Sequence, residues 1–207
     1  MKTLALELSS GRGSLAWLEG ETRFVLEWPN DRRNSAPFFE NLQLMRRKFG
    51  VPETIIVGLG PGSYAGTRIA ISAAIGMQHS CDARLIGWPS ICAMETDAQD
   101  YCVVGDARRQ SFFFARALRN ELVDGPVLLS EAGLKTKLES RHSAMPVFTS
   151  ELLPEFECAV ICFPSARVLA RLAEEPRHSF FLPPLEPIYL REPHTTVSNE
   201  GNLSLLG

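Results

Sequence analysis

Two carboxylates in this sequence occupy equivalent positions, each near the end of a segment with the residue pattern of a β-strand. Glu7 lies at the end of segment 3–8, and Asp106 follows segment 101–105. A carboxylate at the end of a first strand, followed by a short polar turn, is a position at which phosphate-processing enzymes hold Mg²⁺. Glu7 and Asp106 are therefore candidate metal-binding residues. A structural role for Glu7 is the alternative, since the neighbouring strand segments offer only one further carboxylate, Glu27.

A glycine-rich turn, GPGSYAGTR at 60–68, joins an apolar strand segment at 54–59 to a helix that is predicted to end at about Ser80. Glycines allow a close approach of the backbone, and the free amides at the start of a helix can bind an anion. The turn lacks the G-K-[ST] and G-x-G-x-x-G patterns of phosphate-binding loops. A tight turn that seats the helix against a sheet fits the sequence equally well, with Ser63 as the helix cap.

The helix after this turn carries small or apolar residues around its whole circumference, in the run IAISAAIGM at 69–77. A helix of this kind is buried on more than one face. Its small residues Ala70, Ala73, Ala74 and Gly76 allow another backbone to approach closely. Two explanations remain open: a second protein covers the outer face, or the amphipathic helix predicted at 37–49 covers it within the chain.

Strand and helix patterns occur in the same order in the two halves of the chain. Each half begins with a strand, an acidic residue, a polar turn and a second strand, and we interpret this as an internal repeat. We therefore predict an α/β protein of two related lobes, 1–98 and 99–207. The helix at 37–49 has one apolar face, formed by Phe38, Leu42, Met45 and Phe49.

The composition is that of an ordinary globular protein, with 45% hydrophobic and 22% charged residues among 207. A formal net charge of −3 is opposite to that of a stand-alone nucleic-acid binder, so any nucleic acid is expected to be held mainly by a partner. Five unevenly spaced cysteines without a C-x-x-C pair predict buried thiols in a reducing cytosol. No uncharged stretch is long enough to cross a bilayer, which predicts a cytoplasmic protein without a membrane anchor.

Residue sets for hydrolytic chemistry are not found in the sequence. The four histidines, His79, His142, His178 and His194, are widely spaced and form no H-x-x-x-H pair. There is no G-x-S-x-G motif either, and Ser63 has no histidine assigned to it. No metal-binding histidine set is therefore predicted.

Four segments resemble motifs of the bacterial YeaZ family, also called TsaB. They are GPGSYAGTRI at 60–69, LELSS at 6–10, GDAR at 105–108 and EPIYLR at 186–191. The first motif is fairly specific, and the four together span nearly the whole chain. The resemblance implies a two-lobed α/β fold of the actin, Hsp70 and sugar-kinase type, in which each lobe is ribonuclease-H-like.

The resemblance also implies a non-catalytic role. TsaB-type proteins bind and activate a TsaD-type catalytic subunit, which transfers a threonylcarbamoyl group to adenosine 37 of tRNAs that read ANN codons. Nucleotide and metal are expected on the TsaD-type partner, so this chain is assigned no cofactor and contacts tRNA only indirectly. A TsaE-type ATPase joins through the complex, and the same surface can form a homodimer. The alternative is an enzyme acting on its own, either a metal-dependent glycoprotease or an ATP-handling phosphotransferase.

The family pairs through two helices of the N-terminal lobe, which correspond here to the helices at 37–49 and 63–80. The partner interface predicted on them consists of Phe38, Leu42, Met45, Gly66, Arg68, Ile69, Ala70, Ala73, Ala74 and Met77. Candidates for a vestigial phosphate or metal contact are Glu7, Ser9, Ser10 and Asp106. Glu7 stands where the family usually has Asp, so the resemblance does not by itself carry metal binding over to this chain.

Overall fold

The computed structural model describes residues 1–31 and 34–191. His194 and the end of the predicted second lobe lie outside these residues. Within the described residues, ten strands form two five-stranded sheets, one built from each half of the chain.

The first sheet begins with an antiparallel meander and continues with two parallel strands. Its strands are β1 (Lys2–Glu7), β2 (Arg12–Glu19), β3 (Thr22–Pro29), β4 (Thr54–Gly58) and β5 (Arg84–Trp88). Helix α1 (Ala36–Phe49) connects β3 to β4, and α2 (Tyr64–Cys81) connects β4 to β5. The order in the sheet is β3-β2-β1-β4-β5, with β4 parallel to both β1 and β5.

The second sheet repeats this arrangement. Its strands are β6 (Asp100–Asp106), β7 (Ser111–Leu118), β8 (Glu121–Ser130), β9 (Val147–Thr149) and β10 (Ala159–Ile161). Helix α3 (Glu131–Glu139) follows β8, and α4 (Ala166–Leu172) follows β10. The order β8-β7-β6-β9-β10 matches that of the first sheet strand for strand, so the predicted internal repeat is confirmed.

The two faces of the first sheet pack against different elements because side chains alternate along each strand. Leu4 and Leu6 lie in the core that contains α1 and α2. Ala5 and Ile56 lie in a second core, which also contains α4 and strand residues of the second sheet, such as Val103. The predicted boundary at 98/99 separates the strands of the two sheets, but α4, from the second half of the sequence, packs on β1, β2 and β4.

Two segments differ from the structure that their residues favour. The residues at 188–190 favour a short strand, but the segment has no regular secondary structure, and Ile188 N donates to Leu59 O of the first sheet at 2.8 Å. Pro89 favours the start of a helix, but only a single 3₁₀ turn follows it, Ser90–Cys92. Within the described ranges, no helix combines the length and the apolar character needed to cross a lipid bilayer.

Candidate functional site

A cleft of about 450 Å³ lies between the two halves of the chain. The first half contributes the turn between β1 and β2, with Ser9 and Ser10, and the loop before α2. The second half contributes Asp106 and Glu151. The structure therefore brings three of the four predicted vestigial residues together, namely Ser9, Ser10 and Asp106.

Glu7, the fourth residue, does not reach the cleft because it is fully buried behind it. Its Oε1 accepts a hydrogen bond from the backbone N of Ser9 at 2.6 Å, whereas Oε2 has no hydrogen-bond partner among the described residues. Oε2 lies against Gly58, at a point where a Cβ atom on the glycine would also meet Ser90 Oγ. Burial raises the pKa of Glu7, because the charged form loses its hydration.

The turn between β1 and β2 is held by groups of the chain itself. Ser63 N donates to Ser9 O at 2.6 Å, and the Asn30 side-chain amide donates to Leu8 O and Ser10 O at 3.2 and 2.9 Å. A Cβ atom on Gly62 would collide with Ser9 O. This close contact supports the interpretation of the glycine-rich segment as a tight turn that seats α2 against the sheet.

Helix α2 begins as predicted. Ser63 has an extended backbone, and its Oγ accepts a hydrogen bond from Gly66 N at 3.3 Å, so its role as the helix cap is confirmed. A Cβ atom on Gly66 would collide with Leu8 O, which explains a glycine inside the first turn of the helix.

Asp106 is bound to a residue of its own turn. Its Oδ1 accepts from Arg108 N at 2.6 Å, and its Oδ2 pairs with Arg108 Nη1 at 2.9 Å. Glu151, which the sequence did not single out, accepts from Asp106 N at 3.0 Å. In the part of the chain that the structure describes, no group of three or more His, Cys, Asp or Glu side chains is placed to hold a metal ion.

The predicted partner interface needs correction at seven of its ten positions. Seven residues are buried inside the chain, because they form the stripes of α1 and α2 that face the sheet; they are Phe38, Leu42, Met45, Gly66, Ala70, Ala74 and Met77. Arg68 is exposed, and Ile69 and Ala73 are partly exposed. The inner face of α2 packs on the sheet, and the described residues leave its outer face partly open, so α1 does not fully cover it; cover by a second protein stays a prediction.

The exposed surface of the two helices nevertheless has apolar character, and part of it lies outside the predicted interface. Ala65 and Gly76 are exposed on α2, on the same stripe as Ile69 and Ala73. Ser35, at the start of α1, lines a narrow groove with Ala65 and Ile69. Phe39 follows Ser35 by one helical turn and is 49% exposed. Phe39 could have been identified from the sequence, because it is an aromatic residue outside the apolar stripe of an amphipathic helix. The outer helix face is defined here as Phe39, Ala65, Ile69, Ala73 and Gly76.

Comparison with known proteins identifies similar solved structures. No protein-family model and no curated protein matches the sequence. An uncharacterized protein from Pseudomonas aeruginosa with similarity to peptidase YeaZ has 21% identity and a TM-score of 0.71, covering 92% of this chain and 99% of that one. YeaZ from Pseudomonas aeruginosa has 18% identity and a TM-score of 0.68, with coverage of 91% and 99%. The predicted two-lobed α/β fold is therefore confirmed, and this chain has the fold of these YeaZ structures along nearly its whole length.

Proposed function

We propose that this chain is a TsaB-type, non-catalytic partner that binds and activates a TsaD-type subunit in threonylcarbamoyl transfer to adenosine 37 of tRNA. The observation that carries the proposal is the convergence of the four motif segments. Segments 6–10, 60–69, 105–108 and 186–191 are far apart in sequence, yet residues from each lie in or next to the cleft between the lobes. The YeaZ-like fold and the four motifs support the same family independently.

The contacts inside the cleft favour a structural role for it. The backbone amides of Ser9 and Ser63 already donate to Glu7 and Ser9, so these two groups are not free for a phosphate. The Ser63 hydroxyl caps α2, and the Asp106 carboxylate binds Arg108. These residues hold the turns of the chain together, and we assign nucleotide and metal to the TsaD-type partner.

The outer helix face supports a partner surface on α1 and α2. Gly76 is exposed in the middle of a helix, where glycine costs about 1 kcal/mol relative to alanine. A Cβ atom there would meet no atom of the described residues within 4 Å beyond the neighbouring backbone of its own helix, so packing among these residues does not explain the glycine. Close approach by a second backbone would explain it. A second copy of the chain can use the same face, and the TsaE-type ATPase and tRNA are assigned to other parts of the complex.

Reconstituted tRNA modification tests this function. The TsaD-type and TsaE-type subunits of the same organism are incubated with threonylcarbamoyl-adenylate and tRNA, with or without this chain, and the modified nucleoside is quantified. We expect product only when the chain is present, and equal product without it would overturn the proposal. The alternative of an independent enzyme predicts instead that the chain alone binds ATP and Mg²⁺ in calorimetry and that Glu7→Ala abolishes the binding.

A further inference from the structure

A second pocket, of about 260 Å³, lies on the face of the first sheet opposite to α1 and α2. It is bounded by β2, by the edge strand β3 and by α4. Helix α4 has only seven residues and packs on β2, β1 and β4, so the described residues leave part of the sheet beside it uncovered. The pocket is separate from the cleft and from the outer helix face, and it has no role in the function proposed above.

The floor of this pocket is apolar. Ala16 and Leu18 of β2 and Ala170 of α4 are buried, and Val25 of β3 is partly exposed. Ala16 pairs with Val25 across the two strands, so both side chains lie on the same face of the sheet. An apolar floor of this size can hold a short hydrocarbon or aromatic body.

The rim of the pocket carries three arginines and, among the described residues, no acidic side chain. Arg167 lies 3.8 Å from Glu95, which also binds Arg12 at 2.6 Å. Arg23 and Arg171 are exposed and have no ion-pair partner within 4 Å in the described part of the chain. Two guanidinium groups without an ion-pair partner among the described residues therefore lie beside the apolar floor.

We propose that this pocket binds a small organic oxyanion, a carboxylate or a phosphate monoester with a short apolar body. Guanidinium groups recognise both oxyanions through paired hydrogen bonds, so Arg23 and Arg171 hold the charged end and Arg167 adds positive charge. Ala16, Leu18, Val25 and Ala170 bury the apolar end. The apolar floor distinguishes this pocket from a surface for RNA, which would need a wider array of cations along the phosphate backbone.

Titration with simple probes tests the pocket. Octanoate and octyl phosphate are added to the full-length ¹⁵N-labelled protein, and shifts of backbone and arginine side-chain signals are followed by NMR. 1-Octanol and inorganic phosphate are the matched probes that carry only the apolar body or only the charge. Both complete probes are expected to shift signals of β3 and α4, with weaker or no binding of the two partial probes. Arg23→Gln and Arg171→Gln should each weaken binding about tenfold.

Arg84→Gln is the matched control, because Arg84 is exposed at the start of β5, on the opposite edge of the same sheet. It should leave the affinity unchanged. The proposal is overturned if neither complete probe binds below about 10 mM, if inorganic phosphate binds equally well, or if Arg84→Gln weakens binding as much as Arg171→Gln. It is also overturned if a single-stranded RNA 12-mer displaces octanoate and depends on the same two arginines, since the surface would then recognise RNA.

Discussion

The Glu7 carboxylate occupies the space in which a Cβ atom of residue 58 would lie, so no side chain fits at this position and Gly58 is a glycine. Both residues are buried at the ends of adjacent parallel strands, β1 and β4. The contact explains why strand β4 ends in glycine, and it fixes Glu7 behind the cleft instead of inside it.

Substitution of Gly58 by alanine should destabilise the protein by about 1–3 kcal/mol, because the new methyl group overlaps the Glu7 carboxylate. The double variant Gly58→Ala/Glu7→Ala should lose less free energy of unfolding than the two single variants lose together, since the overlap is then removed. Urea unfolding measures the stability of the three variants. Gly11→Ala is the control, as a Cβ atom there meets nothing within 4 Å. Additive costs in the double variant would show that the overlap is not the cause.

The pH dependence of stability should change in Glu7→Gln. Burial raises the pKa of Glu7 in the folded protein above its ordinary value of 4.5. Between these two pKa values the folded state holds the proton and the unfolded state does not, so the free energy of unfolding falls as pH rises. Glutamine does not titrate, and its side-chain oxygen can still accept from Ser9 N.

The free energy of unfolding of Glu7→Gln, relative to that of the wild type, should therefore increase from pH 4.5 upward. Urea unfolding at pH 5 and pH 8 checks this, with the exposed substitution Glu21→Gln as the control. If the free energies of unfolding of Glu7→Gln and wild type differ by the same amount at pH 5 and pH 8, the pKa of Glu7 is not raised by burial.

Two glycines of α2 should respond in opposite directions to alanine. Gly76→Ala should raise the free energy of unfolding by about 0.5–1 kcal/mol, because alanine favours the helix and its methyl group meets no described atom beyond the backbone of its own helix. Gly66→Ala should lower it by about 1–3 kcal/mol, because the methyl group collides with Leu8 O. Thermal or urea unfolding of the isolated chain decides this. A loss of stability in Gly76→Ala would mean that the outer helix face is covered within the monomer.

His178 joins elements from both halves of the chain, and its loss should be costly. Its side chain is fully buried, with Nδ1 3.2 Å from Glu121 and Nε2 3.2 Å from Glu175, and its ring packs edge-on against Trp88 at 5.1 Å. His178→Ala should destabilise the protein by about 2–3 kcal/mol through the cavity and the lost polar contacts. The exposed His79→Ala should cost about 0.5 kcal/mol or less. Equal stability of the two variants in urea would contradict this role.

Regular periodicity made much of the fold predictable from the sequence. The run at 69–77 and the cap Ser63 predicted α2, which the structure places at Tyr64–Cys81. Strand β8 has no clear signal in the sequence, because Asp124, Gly125 and Pro126 interrupt its apolar pattern. The strand forms nevertheless, since it pairs with β7 across irregularities in register near Arg116. Tertiary pairing of this kind leaves no local signal.

The cleft was only partly predictable for a related reason. The repeat placed Glu7 and Asp106 in equivalent positions, but burial separates their roles. Glu7 is enclosed by Gly58 and Ser90, which come from other strands or turns, whereas Asp106 stays at the cleft and binds Arg108. The interface residues failed in the same way, because small and apolar types mark both a core stripe and a partner surface. Only the packing of α2 on the sheet distinguishes the two.

Light scattering of this chain mixed with a TsaD-type subunit measures directly whether the outer helix face binds that subunit, as we propose. The molar masses of the chain, of the TsaD-type subunit of the same organism and of their mixture are measured, once with wild type and once with Gly76→Arg. The arginine side chain has open space in the monomer. We predict a heterodimer mass for the wild type, its loss in Gly76→Arg, and an unchanged melting temperature of that variant alone. A mixture that shows only the separate masses, or a complex that Gly76→Arg leaves intact, would contradict the account.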